Sequence, residues 1–276
     1  MRLHDRIAVE WPMHGVAEVR LARPEKMNAL DGAMIRALID AAAHLHDEPA
    51  LRAVVLHGEG RAFCAGLDRG SFERMSRGEG FSVDGNAATS LAQRTHGIAN
   101  VPQHAALGWR QLPVPVVCAL HGVVFGGGLQ VALGADIRLV AADTRLSLME
   151  LDWGLVPDRA GMWLTRGRVR SDVLAELVYT ARVFSGAEGV QLGLATRMSS
   201  DPLADALALA GAIAGKNPDA VRAAKRLLQV AECADAATVL QAESSEQERL
   251  IGSLNQREAV AARLAGRAPR FGGASA

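Results

Sequence analysis

The stretch His121-Gly122-Val123-Val124-Phe125-Gly126-Gly127-Gly128-Leu129-Gln130 decides how the chain is read. An apolar run, Val114 to Leu120 broken only by Pro115, leads into it, and a segment of small residues suited to a helix follows. Three consecutive glycines at a strand-to-helix turn allow close backbone approach and leave the first helical amides without internal partners. Those amides lie at the positive end of the helix dipole and suit a developing negative charge. A softened turn without chemistry has the same local signature, so the flanking sequence carries the decision.

Upstream, Ile7-Ala8-Val9-Glu10-Trp11 and Val16-Ala17-Glu18-Val19-Arg20-Leu21 are short alternating runs separated by Pro12–Gly15, the pattern of a β-hairpin. After the loop Arg23 to Leu30, Asp31 is placed to cap a helix from about Gly32 to His46. A β-branched strand, Ala53 to Leu56, then leads to a second glycine-bearing turn, Gly58 to Asp68. Strand, glycine turn and helix thus recur, which predicts a layered α/β fold. Residues 70 to 100 are interrupted by Gly70, Gly78, Gly80, Gly85 and Gly97 and read as helical turns joined by loops, a composition suited to a substrate-side wall.

Downstream, a helix is expected from Val101 to Gln111, with strands at Asp136–Val140 and Arg145–Leu148. Beyond Pro157 the segments Arg170–Thr180, Pro202–Ala214 and Pro218–Ala231 read as helices, and Glu243 to Leu264 as one charged amphipathic helix. The expectation is a core over 1–195 and a helical C-terminal region over 196–276. The alanine-rich faces of that region call for a covering partner and hence for oligomerisation.

Composition narrows the function. The chain has 276 residues, 49% hydrophobic, enough for a large core, and 30 basic residues balance 30 acidic ones. Balanced charge and an aromatic content of 4% give no support to nucleic-acid binding, and no stretch approaches a membrane span. Cys64, Cys118 and Cys233 form neither a disulfide framework nor a zinc spacing, and are expected to be reduced and mostly buried. A cytoplasmic protein is the expectation. His57, His96, His104 and His121 have no metal-ligand spacing, so no metal is expected, and a nucleophile elbow, a phosphate loop and a dinucleotide fingerprint are absent from the sequence. Cys64, beside Phe63, reads as a packing residue.

The two glycine turns, around Ala65-Gly66 and Gly127-Gly128, each offer amides after a strand. Two amides aimed at one oxygen make an oxyanion hole, which suits an enolate or tetrahedral intermediate derived from a carbonyl. Such a site needs an acid or base. Glu150 is the candidate, set among Leu148, Met149, Leu151 and Trp153, with Asp152 and Asp158 close behind. Apolar neighbours disfavour its ionised form and tune it toward proton transfer near neutral pH.

Four blocks together resemble the crotonase superfamily, the enoyl-CoA hydratase/isomerase family: Arg23-Pro24-Glu25-Lys26-Met27-Asn28-Ala29-Leu30; Gly60 through Asp68; Ala119 through Gln130; and Glu150 through Pro157. Asn217-Pro218 to Leu228 is similar to the family's late helix. The resemblance implies a ββα spiral core with a helical C-terminal region, assembled as a homotrimer or homohexamer. It implies an acyl-CoA thioester substrate, with coenzyme A as part of that substrate and no separate cofactor. The thioester oxygen would be held by the amides of Ala65 and Gly127. Lys26, Ala29 and Ala65, Gly66, Leu67 and Asp68 would cradle the coenzyme, with Arg23 and Lys26 at its phosphates and Gly126 beside the oxyanion. Hydratases of the family use two glutamates; here Glu150 stands at the second position and Gln130 at the first. An amide cannot exchange a proton as a carboxylate does. Dienoyl-CoA isomerases of the family carry an acidic pair at the Glu150 and Asp158 positions, although they have an aspartate where Gln130 stands, and simple enoyl-CoA isomerases need only the carboxylate at the Glu150 position. The expectation is therefore double-bond isomerisation with Glu150 as acid/base and Asp158 as partner. Hydration and a non-catalytic acyl-CoA-binding role are the alternatives.

Overall fold

The computed structural model describes residues 1–83 and 90–273; Gly85 lies outside the described residues. The strands are β1 (Arg2–Leu3), β2 (Ile7–Met13), β3 (Val16–Leu21), β4 (Ala53–Gly58), β5 (Val116–Leu120), β6 (Val123–Phe125), β7 (Ile137–Val140), β8 (Arg145–Ser147), β9 (Phe184–Ser185) and β10 (Arg197–Met198). The α-helices are α1 (Gly32–His46), α2 (Arg69–Ser76), α3 (Val101–Gln111), α4 (Gly127–Leu133), α5 (Gly161–Leu164), α6 (Ser171–Thr180), α7 (Gly186–Gln191), α8 (Pro202–Ala214), α9 (Pro218–Ala231), α10 (Ala236–Leu250) and α11 (Leu254–Leu264).

The predicted hairpin forms, with β2 and β3 antiparallel and Val9 opposite Val19. From β3 onward the main sheet is parallel, in the order β1-β2-β3-β4-β5-β7-β10. Strands β4 and β5 are buried along their whole length, because helices cover both faces of the sheet. One face carries the larger core, where α1, α3 and α4 bring Met34, Ile35, Leu38, Trp109 and Leu129 against Val54, Leu56 and Cys118. A fully buried side chain of that size contributes about 1.5–3 kcal/mol, so α1 is held by its core face rather than by helix propensity. Asp31 caps α1 as expected, accepting from Met34 N at 2.8 Å. The other face is covered by α8 through Ala206, Ala210 and Ala214, whose small side chains let it lie close on Val55, Val117 and Leu139.

After β5 the chain leaves the main sheet and enters a second one of order β6-β8-β9. This change of sheet at His121-Gly122 brings α4 and its glycines directly beside the turn that follows β4.

Several expectations need correction. Strand β5 begins at Val116, because Pro115 has no N–H to give the ladder; its carbonyl accepts from Val54 N at 2.9 Å. The single C-terminal helix is two, α10 starting earlier at Ala236 and α11 following a break where Gly252 has φ +77° and Ser253 caps the new helix. The division near residue 195 is crossed by the packing, since β10 extends the main sheet and α8 covers its second face. The cysteines are mostly buried as expected, Cys64 and Cys118 within the core and Cys233 exposed. No helix among the described residues is long and apolar enough to cross a membrane.

Candidate active site

The two glycine turns are laced together by the backbone. Phe63 N donates to His121 O and Cys64 N to Val123 O, each at 3.1 Å, and Phe125 N returns a bond to Cys64 O at 3.0 Å. Two glycines make the approach fit. Gly66 has φ +88°, and a Cβ there would lie 2.8 Å from Phe125 O. A Cβ at Gly128 would lie 2.7 Å from both Cβ and O of Cys64. Burial pushes the Cys64 thiol up to about 12, and Sγ donates to Asn28 O at 3.1 Å, in keeping with the packing role expected of it.

One of the two amides at these turns is not the one expected. Ala65 N donates to Met27 O at 2.9 Å and is not available to a ligand. Leu67 replaces it. Leu30 N bonds Gly66 O at 2.7 Å and Asp68 N bonds Leu30 O at 3.1 Å, which turns the Leu67 N–H away from that bridge. Leu67 N has no acceptor among the described residues, and Leu67 lines the main cavity with Gly126 and Gly127. Gly127 is the first residue of α4, so its N–H has no intrahelical acceptor.

That cavity has a volume of about 440 Å³. Its walls are apolar: Phe72 and Met75 from α2, Phe81 and Leu91 from the segment after it, and Trp153, stacked on Phe72 at 4.1 Å between ring centroids. Phe72, Met75, Phe81 and Leu91, from the described parts of the 70–100 region, therefore form a wall of the cavity. Glu150 opens a short 3₁₀ turn, Glu150–Trp153, that presents its carboxylate to Gly126; a Cβ on Gly126 would be 3.2 Å from Glu150 Oε1.

Gln130 and Glu150, twenty residues apart, meet here. Gln130 Nε2 donates to Glu150 Oε1 at 2.6 Å, while Gln130 Oε1 accepts from Arg159 N at 2.8 Å and Gly161 N at 3.1 Å. Gln130 is wholly buried and its carbonyl is saturated. Gln130, counted from its position among the candidate catalytic groups, holds Glu150 in place and carries no proton itself. Glu150 Oε2 is buried with no partner among the described residues. Burial raises the Glu150 carboxyl above its ordinary value, with the Gln130 hydrogen bond and the Arg159 charge opposing that shift in part.

Asp158 lines the same cavity and is tied to Arg159, Nη1 to Oδ1, at 3.0 Å. Arg159 is a site residue that sequence reasoning missed, since a lone arginine beside an aspartate reads as a solvated pair. Arg23 was expected at phosphates, yet its Nη1 is held by Asp68 Oδ2 at 2.7 Å and by Asp31 Oδ2 at 3.3 Å, and it donates to Ala29 O. Arg23 and Asp68 thus clasp the 23–30 loop to α2, whose N-terminus Asp68 caps, and neither charge is spare. Ala29 is buried, with its carbonyl taken by Arg23. Lys26 is exposed and has no ion-pair partner among the described residues. Asn28 pins this loop: Nδ2 donates to Glu59 O and Ala62 O, each at 2.9 Å, and Oδ1 accepts from Arg23 N. Among the described residues no cluster of three or more metal-ligating side chains occurs. His57 is buried on Glu18, and His121 lies on Gly60 O, away from the cavity.

A profile described as enoyl-CoA hydratase/isomerase matches residues 12–274. The chain belongs to the enoyl-CoA hydratase/isomerase family. Among relatives in this family, a probable enoyl-CoA hydratase of Mycobacterium bovis is 32% identical over 271 residues, 96% of this chain and 92% of its own length. The mitochondrial enoyl-CoA hydratase domain-containing protein 2 of Mus musculus is 30% identical over 273 residues, 96% of this chain and 87% of its own. An enoyl-CoA hydratase from Bacillus anthracis superimposes with a TM-score of 0.83 at 27% identity, covering 96% of this chain and 98% of that one. The architecture is the crotonase fold, with its helical C-terminal region.

Proposed function

We propose that this family enzyme isomerises a double bond in an enoyl- or dienoyl-CoA through a thioester enolate. The observation that carries the reading is the division of labour between Gln130 and Glu150. One oxygen of Glu150 is held by Gln130, and the other is buried, unpartnered and basic. Hydration by the family's paired glutamates needs a second group that takes up a proton, and the Gln130 carbonyl is already occupied by two amides.

In this mechanism Glu150 Oε2 takes a proton from the carbon next to the thioester. The electron pair moves onto the thioester oxygen, which the amides of Leu67 and Gly127 stabilise. The dienolate then accepts a proton two carbons further along, from Glu150, and the double bond has moved with nothing added. Asp158, across the cavity wall, serves as a second proton station for substrates whose unsaturation extends further. Lys26 is the cation that meets the coenzyme phosphates. The exposed Leu240, Leu254 and Leu264 of the C-terminal helices support assembly as a homotrimer or homohexamer, which sedimentation velocity reads.

Hydration is the second reading, because several relatives are named hydratases. Assaying the purified protein on a 3-enoyl-CoA and on crotonyl-CoA separates the two: conversion of the first to its 2-enoyl isomer is expected. Rapid hydration of crotonyl-CoA with no isomerisation would overturn the proposal. Glu150→Gln is expected to lower turnover by about a hundredfold to ten-thousandfold, with the Kd for a saturated CoA ester within threefold of wild type. A fully active variant would remove Glu150 from the reaction.

A further inference from the structure

The proton transfer proposed above leaves one buried cation of the cavity without a task. Arg159 lines the cavity and is only 4% exposed. Its guanidinium carries five N–H donors. Nη1 is bonded to Asp158 Oδ1, Nε is buried with no acceptor, and no other donor of the group has one among the described residues. The same molecule shows what a buried structural arginine does with its donors. Arg138, also 4% exposed, gives Nε to Leu194 O at 2.8 Å and Nη1 to Ala135 O at 2.6 Å. Arg159 uses no backbone carbonyl in this way.

Its place in the cavity says what it meets. A Cβ built on Gly127 would lie 3.1 Å from both Cδ and Nη1 of Arg159. The group therefore stands beside Gly127, whose amide is assigned to the thioester oxygen, with its Cζ 6.0 Å from the centroid of the Phe81 ring. Buried donors without acceptors are costly, and an apolar acyl chain does nothing to satisfy them. The charge, in contrast, is already matched by Asp158, with Glu150 a second carboxylate nearby. A third anion is disfavoured there, whereas a neutral acceptor is not.

We infer that Arg159 reads an uncharged oxygen, a hydroxyl or a carbonyl, on the acyl chain close to its reacting carbons, so that the substrates of this chain are oxygenated acyl-CoA esters. Arg159 is then a specificity-determining residue. The inference rests on the acyl-CoA reading, and the test keeps the two apart.

Titration calorimetry of the full chain with pentanoyl-CoA, 2-hydroxypentanoyl-CoA, 4-oxopentanoyl-CoA and glutaryl-CoA reads binding without turnover. For the wild type, at least one of the two neutral oxygenated esters is expected to bind about tenfold or more tighter than pentanoyl-CoA. Glutaryl-CoA is expected to bind no tighter than pentanoyl-CoA. In Arg159→Met the preference falls to within twofold while pentanoyl-CoA affinity holds. Equal wild-type affinity for the oxygenated and plain esters overturns the inference, and that comparison needs no variant to fold. Equal weakening of all esters in Arg159→Met, or tighter binding of glutaryl-CoA than of both neutral oxygenated esters, also overturns it. Failure of pentanoyl-CoA itself to bind the wild type strikes the acyl-CoA reading, and the inference with it.

Discussion

Replacing Gln130 by methionine, close in volume but without hydrogen-bonding groups, tests the positioning of Glu150. Three hydrogen bonds are lost, at 2.6, 2.8 and 3.1 Å, and their partners Glu150 Oε1, Arg159 N and Gly161 N are all buried. Each buried group left unpaired costs about 1–3 kcal/mol, which places the loss at about 3–9 kcal/mol. For a domain of this size that is a fall in Tm of about 5–15 °C. The second consequence concerns the proton. The Gln130 donor favours the ionised Glu150 and so opposes the effect of burial. Without it the carboxyl rises further, and a base that must be ionised to act becomes active only at higher pH. A charge-assisted bond of about 1.5–3 kcal/mol corresponds to about one to two pH units. The assay is the pH profile of kcat/KM on a 3-enoyl-CoA, alongside thermal unfolding followed by circular dichroism. An acidic limb that stays in place or moves to lower pH would refute the reasoning, even if the protein were destabilised as expected.

Two further outcomes follow from the site. Gly66→Ala forces a Cβ into a backbone at φ +88° and to 2.8 Å from Phe125 O; it is expected to separate the two turns and lower turnover by at least tenfold, with ester binding also weakened, and unchanged kinetics would contradict the assigned packing. Lys26→Ala is expected to weaken a CoA ester by up to about tenfold at low salt, but to leave the matching pantetheine ester unaffected, since only the coenzyme carries the phosphates.

The main strands, α1, α3 and α9 were legible because their signals are local: alternation, a capping aspartate and prolines at the helix starts. The site residues were legible by type but not by partner. Nothing in the spacing of Gln130 and Glu150 says that one amide would hold one carboxylate oxygen, because the contact depends on the 3₁₀ turn that begins at Glu150. Arg23 resembled a phosphate ligand, since its partners Asp31 and Asp68 are eight and 45 residues away in the chain. Ala65 was chosen over Leu67 for the same kind of reason. Which amide of a turn stays free is settled by the acceptor across the way, here Met27 O, and that carbonyl is placed by a loop pinned through buried Asn28. Arg159 gave no local signal at all, because only the folded cavity shows that its donors lack acceptors.

The central claim is that the free oxygen of Glu150 moves a proton on a thioester enolate. Incubating the protein with a 3-enoyl-CoA in heavy water and following the acyl chain by NMR tests this most directly. The account predicts the 2-enoyl isomer with deuterium entering the chain, at a rate that Glu150→Gln lowers by at least about a hundredfold. An acyl chain that binds but keeps all its hydrogens would contradict it.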